Sequence, residues 1–188
     1  MLDGAAASLG ATGVPTTLGL ITVLSSFALQ PVTVAAAVPS DTACGDGCVF
    51  HVSEAGDLTQ SPPSGACAAN CINLDLEDKG ITSIAPDTFT GLDLVEKIKL
   101  KGNFITIIKT GTFTNLAAVT WIGMEKNVIS NIETGAFVNV PELDQINLQN
   151  QPSSLTLTAG MFAGPSGYFV VYTDEGARYI FCSSSSNT

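Results

Sequence analysis

Three phenylalanines, Phe89, Phe113 and Phe137, recur at intervals of 24 residues, and each closes the same kind of phrase. The phrases are Ile81-TSIAPDT-Phe89, Ile105-TIIKTGT-Phe113 and Ile129-SNIETGA-Phe137. Extended backwards, the shared frame is L-x-x-L-x-L-x-x-N-x-I-x-x-I-x-x-x-x-F-x-x-L. One unit fills it with Val95, Ile98, Leu100, Asn103, Ile105, Ile108, Phe113 and Leu116, and the next with Val119, Ile122, Met124, Asn127, Ile129, Ile132, Phe137 and Val140. The unit before these begins with Cys71, Leu74 and Leu76. The unit after them has Leu143, Ile146, Leu148, a Gln151 in the asparagine position, and Phe162 after a one-residue insertion. The opening L-x-x-L-x-L alternates with period two, as a short strand with one buried face must. A single unit cannot bury its own apolar row, so the units have to stack around a continuous core.

The frame closely resembles the leucine-rich repeat, in particular the 24-residue kind typical of extracellular proteins, over about Cys71 to Gly164. The resemblance implies a solenoid, α/β-type or mainly β: a short arc of four to five coils with a parallel sheet on its concave side. Asn103 and Asn127 then sit at turns where the side-chain amide satisfies backbone groups of the adjoining coil. Tyr168, Val171 and Thr173 continue the register as a degenerate fifth strand, with Tyr179 to Cys182 closing the core.

Open solenoid ends expose core and require caps. Cys44, Cys48, Cys67 and Cys71 stand immediately before the first coil, which resembles the disulfide-bonded N-terminal cap of extracellular leucine-rich-repeat proteins. The spacing, C-x3-C-x18-C-x3-C, departs from the familiar one, and four cysteines allow three pairings. Zinc is the competing use of two C-x3-C pairs, but it needs a reducing compartment and usually tighter spacing. Cys182 is the odd cysteine, with a buried thiol as its simplest role.

From Gly4 to Ser40 there is no charged residue and no histidine, and Leu18 to Leu29 is nearly continuous apolar sequence. Two readings stand. An apolar run followed by Pro31 and Ala35-x-Ala37 has the pattern of a cleaved secretory signal. Alternatively, residues 17–38 are retained as an apolar helix spanning a membrane. Either places the repeats outside the cytosol, secreted or anchored, or on the lumenal side of an organellar membrane such as the thylakoid. The expected organisation is therefore 1–40 signal or membrane helix, 41–70 cysteine-containing cap, 71–182 repeat domain and 183–188 disordered tail.

Seven cations against seventeen acids, a net charge of −10, argue against a surface that tracks nucleic-acid phosphates. Enzymatic motifs are missing from the sequence: there is no G-x-S-x-G, H-E-x-x-H, P-loop or G-x-G-x-x-G, and the lone His51 is expected in a cap loop. No cofactor or metal is expected; Asp75, Glu77 and Asp78 alternate faces and lack an EF-hand frame. What remains is binding. The positions between the strand apolars form the face on which leucine-rich-repeat relatives commonly engage protein partners. Here they include Lys97, Lys99, Lys101, Trp121, Glu125, Lys126, Asn147 and Tyr172. In-register parallel strands make equal positions lateral neighbours, so Asp75 is expected beside Lys99, and Glu77, Lys101 and Glu125 in one row. Trp121, the only tryptophan, is expected to stand exposed at mid-face next to Gly123. The functional expectation is a non-catalytic recognition module whose concave face engages a protein or glycan. The alternative is a structural accessory subunit of a membrane complex, anchored through residues 17–38.

Overall fold

A computed structural model describes residues 39–45, 47–61, 70–151, 155–163 and 167–182. The apolar segment 17–38 with its expected helix, Cys67, and the tail 183–188 lie outside the described residues. Among the described residues no helix is long and apolar enough to cross a membrane.

The described chain opens with three antiparallel strands: β1 (Ser40–Ala43), β2 (Val49–Val52) and β3 (Asp57–Ser61). Alternation along β2 and β3 turns Phe50, Val52 and Leu58 into the core. Four short strands, β4 (Asn73–Asp75), β6 (Lys97–Lys99), β9 (Trp121–Gly123) and β12 (Gln145–Asn147), then recur once per coil. Their middle residues Leu74, Ile98, Ile122 and Ile146 are successive parallel partners, each 0% exposed. The residue on either side of each middle residue faces the opposite way.

The return path of each coil is also extended. β5 (Ser83–Ile84) pairs parallel with β3, so the cap feeds its last strand into the solenoid. β7 (Ile107–Ile108) pairs with β10 (Asn131–Ile132), and β8 (Phe113–Thr114) with β11 (Phe137–Val138). The only helical piece among the described residues is a single 3-10 turn, Ala159–Met161. Of the two solenoid types expected, the molecule is the mainly β one, with about four turns and parallel sheets.

Two side-chain ladders hold neighbouring coils in register. Asn103 is buried; its Oδ1 accepts the backbone N–H groups of Lys79 and Ile81, both at 3.0 Å. Its Nδ2 donates to the carbonyls of Leu76 at 2.8 Å and Leu100 at 2.9 Å, so one amide stitches two coils. Asn127 repeats this with Ile105 N–H (3.1 Å) and the Leu100 and Met124 carbonyls (2.9 and 3.0 Å). Gln151 does the same from a longer arm, accepting from Ile129 N–H and donating to the Met124 carbonyl, each at 2.9 Å. On the far side, Phe89, Phe113, Phe137 and Phe162 stack with centroids 5.0–5.3 Å apart. Phe50 of the cap and Phe169 extend this spine at its two ends.

The C-terminal end keeps the expected fifth strand and then closes with a hairpin. β13 (Phe162–Ala163) joins β11 with Phe137 opposite Phe162, a step of 25 residues that absorbs the insertion. β14 (Gly167–Thr173) is a fifth parallel neighbour, Val171 lying opposite Ile146. The chain then turns back at Asp174 and Glu175 into β15 (Gly176–Cys182), which runs antiparallel to β14. A hairpin therefore ends the sheet, and Ile180 packs partly buried against the core.

Candidate interaction face

The six-stranded sheet, ordered β15-β14-β12-β9-β6-β4, turns alternate residues away from the core. Register fixes the rows. One row runs Asn73, Lys97, Trp121, Gln145 and Val170, and a second runs Asp75, Lys99, Gly123, Asn147 and Tyr172. The backbone ladder continues past the strands through Asp78 N–H to the Lys101 carbonyl, Gly102 N–H to Glu125 and Lys126 N–H to Gln149, at 2.9–3.0 Å. That places Glu77, Lys101, Glu125 and Gln149 in a third row. The face thus assembles Lys97, Lys99, Lys101, Trp121, Glu125, Asn147 and Tyr172. Lys126 lies beside it: the backbone there has φ +54°, a left-handed turn leaving the strand. Asp174 and Glu175 form the turn between β14 and β15.

The expected Asp75–Lys99 neighbours form an ion pair, Lys99 Nζ to Asp75 Oδ2 at 3.3 Å. Asp75 also accepts the Glu77 backbone N–H at 3.2 Å. That backbone bond, followed by the Lys99 ammonium, holds its carboxyl below the ordinary aspartate range. Lys97, Lys101 and Lys126 make no ion pair among the described residues. Glu125 is half-buried, with Oε1 accepting Asn147 Nδ2 at 2.8 Å. Its Oε2 is buried without a hydrogen-bond partner among the described residues, and the expected Lys101 neighbour does not reach it.

Trp121 is half-buried and does not stand free. A Cβ built on Gly123 would fall inside the van der Waals envelope of the Trp121 indole, so the ring lies over the glycine two residues along its own strand. The sequence showed the tryptophan and the glycine side by side, but the reason for the glycine emerges only from this packing. The Asn147–Glu125 bond across two strands was likewise missed. Its signal, 22 residues between two residues on successive coils, is indistinguishable from other near-register pairs.

In the cap, Cys44 and Cys71 are joined as a disulfide with Cα atoms 5.0 Å apart, and Cys48 is disulfide-bonded too. His51 sits on β2 instead of in a loop, its Nδ1 2.6 Å from Asp41 Oδ1 on the neighbouring edge strand, with both side chains solvent-exposed. Among the described residues no three His, Cys, Asp or Glu side chains converge so as to hold a metal ion. At the other end a shallow cleft lies between Leu148, Leu155 and Arg178; Glu175 on its rim pairs with Arg178, and Asp174 accepts the Asn150 N–H at 2.7 Å.

Residues 72–129 match the family model described as leucine rich repeat. That span holds β4 to β9, with Lys97 and Lys99 on β6, Lys101 just beyond it and Trp121 on β9. No curated protein and no solved structure matches the chain.

Proposed function

We propose that the chain is a non-catalytic recognition module that engages a protein, or a glycan, through the outward and concave face of the six-stranded sheet. Leucine-rich-repeat domains generally bind protein partners and are typically non-catalytic, and the family match covers three strands of this face, β4, β6 and β9. The observation that carries the reading is the face itself. Lys97, Lys99, Lys101, Trp121, Asn147 and Tyr172 are held in lateral register by a buried amide ladder and lie exposed or half-exposed. An indole set among polar and charged neighbours is the composition of an interface hot spot. The disulfide-bonded cap supports a location outside the cytosol, since thiols in the cytosol are kept reduced.

The test is affinity capture from the native source with three baits: the wild-type chain, a face variant (Trp121→Ala with Asn147→Ala) and a variant on another surface (Thr90→Ala with Asn139→Ala). The reading expects species retained by wild type to be lost with the face variant alone, with a thermal midpoint for Trp121→Ala close to wild type. Retention by the face variant, or loss with the other, overturns it. The charge-free run from Gly4 to Ser40 favours a second reading, an accessory subunit of a membrane complex held by residues 17–38. Intact mass of the native protein separates the two. A chain starting near Val38 rejects the membrane subunit, and one retaining residues 17–38 rejects simple secretion.

A further inference from the structure

We infer that the partner presents an acidic, extended polypeptide segment to the lysine strand β6; this rests on the face being the binding surface. Lys97 and Lys99 occupy alternate positions of β6, about 6.6 Å apart and pointing away from the core, and the backbone ladder carries Lys101 into the next outward row just past the strand end. Extended polypeptide with Asp or Glu at every second position has the same spacing. Only the middle lysine is neutralised, by Asp75 across the ladder. Lys97 and Lys101 have no anionic partner among the described residues.

Glu77 adjoins Lys101 in the third row without forming an ion pair, and the other acids nearby are otherwise placed. Glu125, the one carboxylate in the outward rows of β9 and β12, is tied to Asn147 and half-buried. Glu96 and Asp144 precede their strands at the edge of the face and make no ion pair with these lysines. Trp121 is the direct lateral neighbour of Lys97, so an apolar platform adjoins the positive stripe. The methylene groups of a partner's glutamates, or an apolar residue between its acids, can lie against that ring.

The chain's net charge of −10 does not oppose this. At physiological ionic strength charges separated by more than about 8 Å are largely screened, so an approaching carboxylate responds to the nearby lysines more than to distant acids. A basic partner segment would instead have to leave Lys97 and Lys101 unpaired beneath it, and like-charge juxtaposition is costly.

The experiment is a selection of random 12-residue peptides displayed on phage against the full chain, with representative peptides then titrated against variants. Enriched sequences should carry Asp or Glu at alternate positions. Lys97→Glu with Lys101→Glu should weaken their binding at least about tenfold, Lys97→Gln with Lys101→Gln less so, and raised salt should weaken it further. The affected side chains lie outside the core, so the thermal midpoints of these variants check that the fold is intact. Peptides without an excess of acids, lost with Trp121→Ala and Asn147→Ala but indifferent to the lysines, would overturn the acidic segment while leaving the face as the binding surface. Peptides indifferent to every face variant would overturn both. Binding of a heparin hexasaccharide that depends on the lysines, with no acidic peptide enriched, would assign the stripe to a sulfated glycan and overturn the polypeptide partner.

Discussion

Asn103, Asn127 and Gln151 show how much of this solenoid is carried by single side chains. Each closes backbone groups that strand pairing leaves open between coils, where an unpaired buried polar group costs about 1–3 kcal/mol. Asn127→Ala should therefore destabilise the protein by about 1–3 kcal/mol in denaturant unfolding, because it orphans the Ile105 N–H and leaves the Leu100 and Met124 carbonyls with one amide donor each, from Asn103 and Gln151. A loss below about 0.5 kcal/mol would mean water replaces the amide. The two asparagines were legible from the sequence because they repeat in register. That Gln151 does the same work was not, since its longer side chain compensates for a path the sequence does not reveal. Gly123 is a second residue whose reason is tertiary. Gly123→Ala should lift the Trp121 ring from the strand, shifting the emission of the only tryptophan to longer wavelength. Unchanged emission would show that the ring does not rest there.

At the scale of elements, period-two alternation fixed the four strands β4, β6, β9 and β12 and the core residues they bury. The strand ending in Thr173 was also visible, but its reversal was not: nothing in Tyr168 to Cys182 distinguishes another coil from a hairpin until β15 is seen running antiparallel. The cap follows the same logic, since its cysteines announce cross-links and leave the pairing open. The Cys44–Cys71 bond closes a loop spanning 27 residues, an entropic stabilisation of about 3.5 kcal/mol. Non-reducing peptide mapping should return Cys44–Cys71 and a second cross-link at Cys48; a Cys44–Cys48 fragment would contradict the cap.

Cross-strand electrostatics are weak by comparison. The Asp75 carboxyl is lowered in the folded state by the Glu77 N–H and by Lys99. Its contribution is therefore present above the unfolded aspartate value, about 3.9, and is lost as pH falls through the lower folded value. Because the pair is largely exposed, Asp75→Asn should cost only a few tenths of a kcal/mol at pH 7. The difference from wild type should fade as pH falls below the ordinary aspartate range. A difference that grows in acid would reverse the sign of the linkage.

Over the whole molecule, charge is distributed by role. The sequence carries sixteen of its acids beyond residue 40, yet three of its seven cations, Lys97, Lys99 and Lys101, lie on β6 or immediately after it. Composition alone made the protein look uniformly acidic, whereas register collects positive charge beside the only tryptophan. The face was thus legible as a list of positions. Its details were not, because Trp121 packing on Gly123 and Glu125 turning to Asn147 depend on where side chains go once the rows are set. The most direct measurement uses the single tryptophan as a reporter. Incorporating 5-fluorotryptophan gives one 19F resonance, from Trp121 at the centre of the face. Adding the captured partner, or a selected peptide at saturation, should shift or broaden that resonance. Complete binding with the resonance unmoved would show that the partner docks elsewhere and contradict the account.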